Sequence, residues 1–378
     1  MMDNYKEYMN NSALIVDRAA LRDNVAAIRS TLSPGTEIIP VLKADAYGLG
    51  MARTAEVLSP LPGVRGFAVA HTAEGVRLRE AGERKEILLL GNPAVHALGA
   101  AAEADLTLTL GRRGLAELLC RESERLGKSV SVQLKLDTGL HRTGAAPGEE
   151  LAALLRELAA AGERLTLRGV YSHFADTDDA PRCRGQYELF LRGLEQVEKA
   201  GFAIPLRHIC DSAASELYPE YHMDAVRLGR RLMLDHPTRP LGNIREAASW
   251  RTVVTDVRSR RAGDSLGYAD AYILPRDGKI AIIGVGYGDG LPPTLARAHG
   301  EVLIRGHRCK LLACCMDQSF VDVTGLDEPL IGEEVTLLGY DSLGNLLSGQ
   351  EVTAVYGGCE GCEITSALPD RVARVYIN

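Results

Sequence analysis

The feature that most limits how this chain can fold is a regular alternation of short apolar runs and helix-like stretches across residues 12–238. Strand patterns fit residues 38–42, 66–70, 86–90, 106–110, 130–136, 165–172, 206–210 and 225–228. A helix opened by the N-cap Asp17 runs to about Leu32, with Leu21, Val25 and Ile28 on one face, and Pro34-Gly35 breaks it. Further helix-like stretches fall at 51–58, 73–81, 94–104, 114–126, 149–161, 186–200 and 213–218. Eight strands with helical connections predict an α/β fold, a (β/α)8 TIM-like barrel, which takes about 250 residues. An open doubly wound sheet would have fewer strands and a Gly-rich phosphate loop after the first. Here that loop carries Lys43.

From about residue 239 to 378 the pattern changes to short alternating strands with glycine turns, at 249–257, 279–285, 301–304, 311–315, 321–323, 334–338, 352–355 and 372–377. This predicts a second, all-β domain, which residues 1–11 could join. The chain has 378 residues, enough for two domains.

A barrel places its active groups at the C-terminal ends of its strands, and the unusual polar residues fall there. Lys43 ends strand one; Lys135, Asp137 and Arg142 follow strand five; His173 ends strand six; His208, Asp211 and Ser212 end strand seven; Arg227 and Gly229 end strand eight. An ammonium at the end of a buried strand loses its proton or finds a partner, and a neutral amine is what condensation with a carbonyl needs. The bland alternative is a lysine whose head snorkels into water. Cys210-Asp211-Ser212-Ala213-Ala214 runs from a strand end into a helix start, and Gly229 lets a ligand approach the backbone, so both loops suit a phosphate. A lysine facing a phosphate site is the layout of a pyridoxal-phosphate enzyme.

The formal net charge of -7 argues against a nucleic-acid or anionic-membrane surface. No run reaches the roughly 18 apolar residues of a membrane span, and the polar first 11 residues do not read as a signal peptide, so a cytoplasmic location is expected. The eight cysteines are scattered and read as reduced thiols. Cys359-Glu360-Gly361-Cys362 has metal-ligand spacing but no second pair, and reads as two ordinary thiols at a turn, with no metal expected.

Eight segments in order resemble the alanine racemase family: Lys43-Ala44-Asp45-Ala46-Tyr47-Gly48, Lys135-Leu136-Asp137-Thr138-Gly139, Tyr171-Ser172-His173-Phe174-Ala175, His208 to Ser212, Val226-Arg227-Leu228-Gly229, Gly267-Tyr268, Gly286 to Gly290 and Cys315-Met316-Asp317. The resemblance implies a pyridoxal 5'-phosphate racemase paired head to tail as a homodimer, with a small amino acid as substrate. It implies Lys43 as the lysine that joins the cofactor and Tyr268 as the opposite base, reaching the partner's site. Tyr47, Ser212 and Gly229 would hold the phosphate, with His208 and Arg230 beside the cofactor. Arg227 would face the pyridine nitrogen, which it cannot protonate. His173 would link to Tyr268 and border the cofactor, Arg142 would contact the cofactor's phenolic oxygen and, with Met316, the substrate, and Lys135 could be carbamylated and hold Arg142.

The chain departs from the family at Asp211, where asparagine is usual, at Arg230-Arg231, where a small apolar pair is usual, and at Pro369-Asp370, where a serine and, in some members, a tyrosine precede the arginine that stands here as Arg371. Asp211 and Arg230 could pair with each other. Two other readings stay open: a cofactor-binding protein with altered or lost activity, and an amino-acid decarboxylase of the same general fold.

Overall fold

The computed structural model describes residues 11–233, 244–328, 330–358 and 361–378. The domain boundary expected near residue 238, and Cys359-Glu360, lie outside them. The first strand, β1 (Ser12–Asp17), feeds the helix Arg18–Arg29, whose N-cap Asp17 accepts hydrogen bonds from the backbone N–H groups of Ala19 and Ala20. Eight parallel strands follow: β2 (Glu37–Pro40), β3 (Gly66–Val69), β4 (Glu86–Leu89), β5 (Thr107–Leu110), β6 (Val130–Lys135), β7 (Leu165–Tyr171), β8 (Arg207–His208) and β9 (Ala225–Leu228). Strands β3 to β8 pair in sequence order, and β2 pairs with β9. Two seams close the ring: Leu42 N–H donates to Ala68 O at 2.8 Å, and Arg227 N–H donates to Cys210 O at 3.0 Å. The expected barrel is therefore formed.

Side-chain parity sorts the barrel into two environments. Ile38, Leu42, Phe67, Val69, Ile87, Leu89, Leu108 and Leu110 belong to the large apolar cluster that includes the helices. Their alternates Ile39, Val41, Ala68, Leu88, Leu206 and Ala225 form a separate small cluster, the apolar floor of the barrel interior. Continuing the same parity, Gln133, Lys135, Tyr171, His208 and Arg227 are buried polar residues.

The rest of the chain is β-rich: β10 (Ala248–Arg260), β11 (Ser265–Leu266), β12 (Tyr272–Ile273), β13 (Gly278–Ile283), β14 (Glu301–Ile304), β15 (His307–Cys314), β16 (Ser319–Asp322), β17 (Glu334–Tyr340), β18 (Leu346–Leu347) and β19 (Ala373–Ile377). One nine-stranded sheet has the order β18-β17-β14-β15-β16-β13-β10-β1-β19, with β10 also pairing β17. Two expectations are corrected here. Residues 12–17 were read into the barrel, but β1 is a sheet strand, antiparallel to β10 and parallel to β19. Its Leu14 and Val16 pack in the main core and its Ala13 and Ile15 against Val375, so both faces are buried and no alternation marks it as a strand. Residues 352–355 were read as a strand but lie in and beside the helix Gly349–Ala354, where Ser348 and Glu351 form a reciprocal capping box.

The connection after β2 is unusual. Ala44, Asp45, Ala46 and Tyr47 all lie in the left-handed region, with φ of 52°, 55°, 57° and 56°. Each non-glycine residue held there costs roughly 1–2 kcal/mol. Glu74 Oε1 accepts from Ala44 N–H at 2.7 Å and Asp45 Oδ1 accepts from Met51 N–H at 2.9 Å, which fixes both ends of the turn. Gly48 then has φ +88°, and a Cβ there would sit 1.8 Å from Thr365 O. Gly48→Ala should therefore lower stability by about 2–4 kcal/mol, the sum of overpacking and left-handed strain, read as a shift of the urea midpoint at fixed protein concentration.

Candidate active site

A cavity of about 540 Å³ opens at the C-terminal ends of the barrel strands. Of the residues picked out from the sequence, Lys43, Tyr47, Lys135, Arg142, His173, Asp211, Ser212, Arg227, Gly229 and Arg230 line it. Val41, Ala70, Leu90, Gly91, Asn92 and Thr143 also line it and carried no sequence signal.

Arg227, at the end of β9, is buried, and both its terminal nitrogens are hydrogen-bonded. Its Nη1 donates to His208 Nδ1 at 2.5 Å; its Nη2 donates to Ser172 O at 2.7 Å, Ile209 O at 2.9 Å and His173 Nδ1 at 3.1 Å. Arginine keeps its protons, so both imidazoles must accept at Nδ1 and stay neutral. Burial first, then the charge of Arg227, holds His173 and His208 well below the usual imidazole range. His208 Nε2 is left to donate to Gln133 Oε1 at 2.7 Å, and Gln133 Nε2 donates to Glu86 Oε1 at 3.1 Å. The Tyr171 ring stacks on His208 at 5.0 Å, and its hydroxyl meets Thr109 Oγ1 at 2.5 Å. His208 was expected beside a cofactor. It is fully buried and does not line the cavity; it supports Arg227 from beneath.

Lys135, at the end of β6, is 4% exposed. Its amine sits 4.5 Å from the Tyr171 ring centroid. Burial first, then Arg227 and Arg142, pushes it well below the usual lysine range. Asp137 offsets this only in part, because its carboxylate accepts from Gly139 N–H, His141 N–H and His141 Nδ1.

Tyr47, Ser212 and Gly229 converge at one end of the cavity. Gly229 N–H donates to Ser212 Oγ at 3.3 Å, and a Cβ on Gly229 would fall 2.1 Å from the Tyr47 hydroxyl. Burial pushes the Tyr47 phenol up, partly offset by the charge and backbone of Arg230. Five basic side chains, Lys43, Lys135, Arg142, Arg227 and Arg230, line the cavity against one acidic chain, Asp211. A compact anion such as a phosphate ester fits this cradle and this charge balance.

Lys43 was expected at the end of a buried strand. It instead opens the left-handed turn and is exposed, its amine 5.7 Å from the Tyr47 ring centroid. Asp211 is placed by two contacts. Its Oδ1 caps the helix Ser212–Leu217 through Ala214 N–H at 3.0 Å, and its Oδ2 lies 3.9 Å from His173 Nε2. Cys362 is half-buried near Arg230 and Lys43, and burial raises its thiol above the usual range.

Tyr268 and Met316 do not line this cavity within one chain. Tyr268 is 79% exposed and Met316 52%. Gly288 N–H donates to Met316 O at 2.8 Å, tying the Tyr287 turn to the Met316 turn. Arg371 joins both turns through Asp289 at 2.9 Å and Asp317 at 2.8 Å. Together with Ile273 and Tyr287, these residues leave several large apolar side chains exposed on the β-rich part.

A cation-lined barrel mouth beside a separate β domain is the build of an enzyme that holds an anionic group. Comparison with known proteins narrows the class. Residues 16–237 match the alanine racemase N-terminal domain and residues 247–376 its C-terminal domain. An alanine racemase of Desulforamulus reducens is 34% identical over 369 residues, covering 96% of this chain and 98% of that protein. One from Methanococcus maripaludis is 31% identical, again over 96% of this chain and 98% of its own. Among solved structures, alanine racemase of Clostridium difficile 630 superposes with a TM-score of 0.91 at 26% identity, covering 98% of this chain and 96% of that one. The alanine racemase of Bacillus anthracis with bound L-Ala-P gives 0.89 at 28% identity, with the same coverage. The chain belongs to the alanine racemase family, isomerases that use pyridoxal 5'-phosphate. Among the described residues, no helix is long and apolar enough to cross a membrane.

Two outcomes follow from this geometry. Gly229→Ala displaces the Tyr47 hydroxyl and should weaken pyridoxal-phosphate binding about tenfold in a fluorescence titration, equivalent to about 1.4 kcal/mol. Fully buried His208 and half-buried His173 take up protons far more readily when the chain unfolds. The unfolded state therefore holds more protons below about pH 6.5, and stability rises with pH across that window by up to about 1.4 kcal/mol per unit for each histidine. A His208→Asn variant should show a shallower rise of urea midpoint between pH 5 and 7.5.

Proposed function

We propose that this protein interconverts L-alanine and D-alanine with pyridoxal 5'-phosphate held in the barrel cavity, as a head-to-tail homodimer whose two sites are shared. The observation that carries the reading is the split of the two basic groups. Lys43 lines the cavity, while Tyr268 of the same chain stands largely exposed and outside it. A phenol presented in this way suits the cavity of a second copy.

In this reading Tyr47, Ser212, Gly229 and Arg230 receive the phosphate, Arg227 faces the pyridine nitrogen, and Arg142 with Met316 of the partner subunit borders the substrate. Bound, the cofactor supplies the electron withdrawal that makes the substrate's Cα–H acidic. Lys43 Nζ removes or returns the proton on one face, and the hydroxyl of Tyr268 of the partner subunit does so on the other. Neutral His173 hydrogen-bonds that tyrosine, and Arg227 behind it keeps the imidazole neutral. Carbamylation of Lys135 would turn a buried amine between two arginines into an anion that Arg142 can grip, and its low proton affinity favours the reactive amine. The D-alanine formed would supply cell-wall synthesis.

The test is complementation. Purified protein should racemise L-alanine, read by chiral chromatography, while Lys43→Ala and Tyr268→Ala each lose at least about a thousandfold in kcat. Mixed and re-equilibrated, the two variants rebuild one intact site per mixed dimer and should recover a substantial part of the activity. No recovery, with dimers confirmed, would place both groups in one chain's site and reject the shared arrangement. Release of carbon dioxide in place of D-alanine would reject racemisation.

A further inference from the structure

We propose that the last strand of the chain, β19, is a positioning device for Lys43: Arg374 and Tyr376 hold the left-handed turn that presents its amine to the cavity. The proposal rests on the assignment of Lys43 made above. Four successive left-handed residues follow Lys43, and such a backbone persists only where its surroundings over-determine it. The carbonyls that leave this turn point at β19. Gly48 O accepts from Arg374 Nε at 2.9 Å, and Leu49 O accepts from the Tyr376 hydroxyl at 2.8 Å.

The two donors are themselves fixed. Arg374 Nη1 donates to Pro369 O and Val372 O, each at 2.7 Å, and Nη2 donates to Leu368 O at 2.8 Å. The guanidinium is thus bolted to the backbone leading into its own strand and carries that rigidity to Gly48. Burial raises the Tyr376 phenol to about 12, so it remains a donor across the working pH range. The strand is in register with β1, Leu14 opposite Arg374 and Val16 opposite Tyr376, and β1 runs directly into the barrel's first helix. The fit is close on both sides. A Cβ on Gly48 would lie 1.8 Å from Thr365 O, and one on Gly50 would lie 1.8 Å from the Tyr376 hydroxyl. Without this grip the turn can relax toward ordinary right-handed backbone, and Lys43, its first residue, swings with it.

A positioning role differs from a general structural one in what it does to two forms of the cofactor. Pyridoxal phosphate condenses with Lys43: a bond forms from Nζ to the aldehyde carbon, the carbonyl C–O bond breaks, and water leaves. Pyridoxamine phosphate has the same ring and phosphate but no aldehyde to condense. The ratio of their affinities therefore reads the placement of Lys43 separately from the integrity of the cavity. Tyr376→Phe, which deletes one hydroxyl, should lower the pyridoxal-to-pyridoxamine affinity ratio about fivefold, the worth of one hydrogen bond. Arg374→Gln should lower it about tenfold or more, and Arg374→Lys should restore part of it. Equal loss of both cofactors, or no loss of either in Tyr376→Phe, would overturn the proposal. Borohydride trapping of the unaltered protein, followed by peptide mass analysis, separates the two layers. An adduct on Lys43 with unchanged ratios rejects the positioning role alone, while an adduct elsewhere rejects the assignment of Lys43 itself.

Discussion

The barrel interior turns on one buried chain of hydrogen bonds: Glu86 to Gln133, Gln133 to His208, His208 to Arg227, and Arg227 to His173. An unpaired guanidinium in that position would be prohibitively costly. Here the two terminal nitrogens donate to two imidazole nitrogens and two carbonyl oxygens, Ser172 O and Ile209 O. Because arginine does not release its protons, it dictates the tautomer of each histidine it touches. A single permanent charge at the end of β9 thus sets the protonation of the cavity wall, and the apolar floor beneath it keeps water from relaxing that order.

The opposite wall is built by strain. The left-handed turn after β2 brings Lys43 and Tyr47 to the same mouth, and Gly229 leaves the room that the Tyr47 hydroxyl fills. One wall is rigid through satisfied polarity and the other through close approach of backbone. Between them lies the basic cavity into which a phosphorylated ring fits.

Much of this was legible because the barrel's alternation survives in single residues. Strands buried on both faces still announce themselves as short apolar runs between helices, and polar residues at their C-terminal ends break the pattern where the cavity lies. What was not legible depends on partners distant in sequence. β1 reads as an unremarkable apolar run because its neighbours in the sheet begin more than two hundred residues later. The segment around Val352 carries strand-like residues, yet the cap made by Ser348 and Glu351 decides for helix. Glu74 looks like any acid in a first turn, and that it holds Ala44 N–H is visible only in three dimensions. Lys43 and His208 were each placed one layer wrong, the first too deep and the second too shallow. Strand parity tells which face a residue occupies but not how far along the barrel axis it sits.

The placement of β1 between β10 and β19 has a consequence for how the molecule comes into being. Ala13 meets Ala373, so β1 waits for a partner strand made hundreds of residues later. The barrel strands β3 to β8 each pair with the next strand in sequence and can collapse as the chain emerges, but that edge of the sheet stays open until β10 and then β19 have been made. Such long-range closure is slow to find and leaves two apolar strand faces bare in the meantime. In that interval β1 is the strand of the nascent chain most in need of a chaperone's shelter.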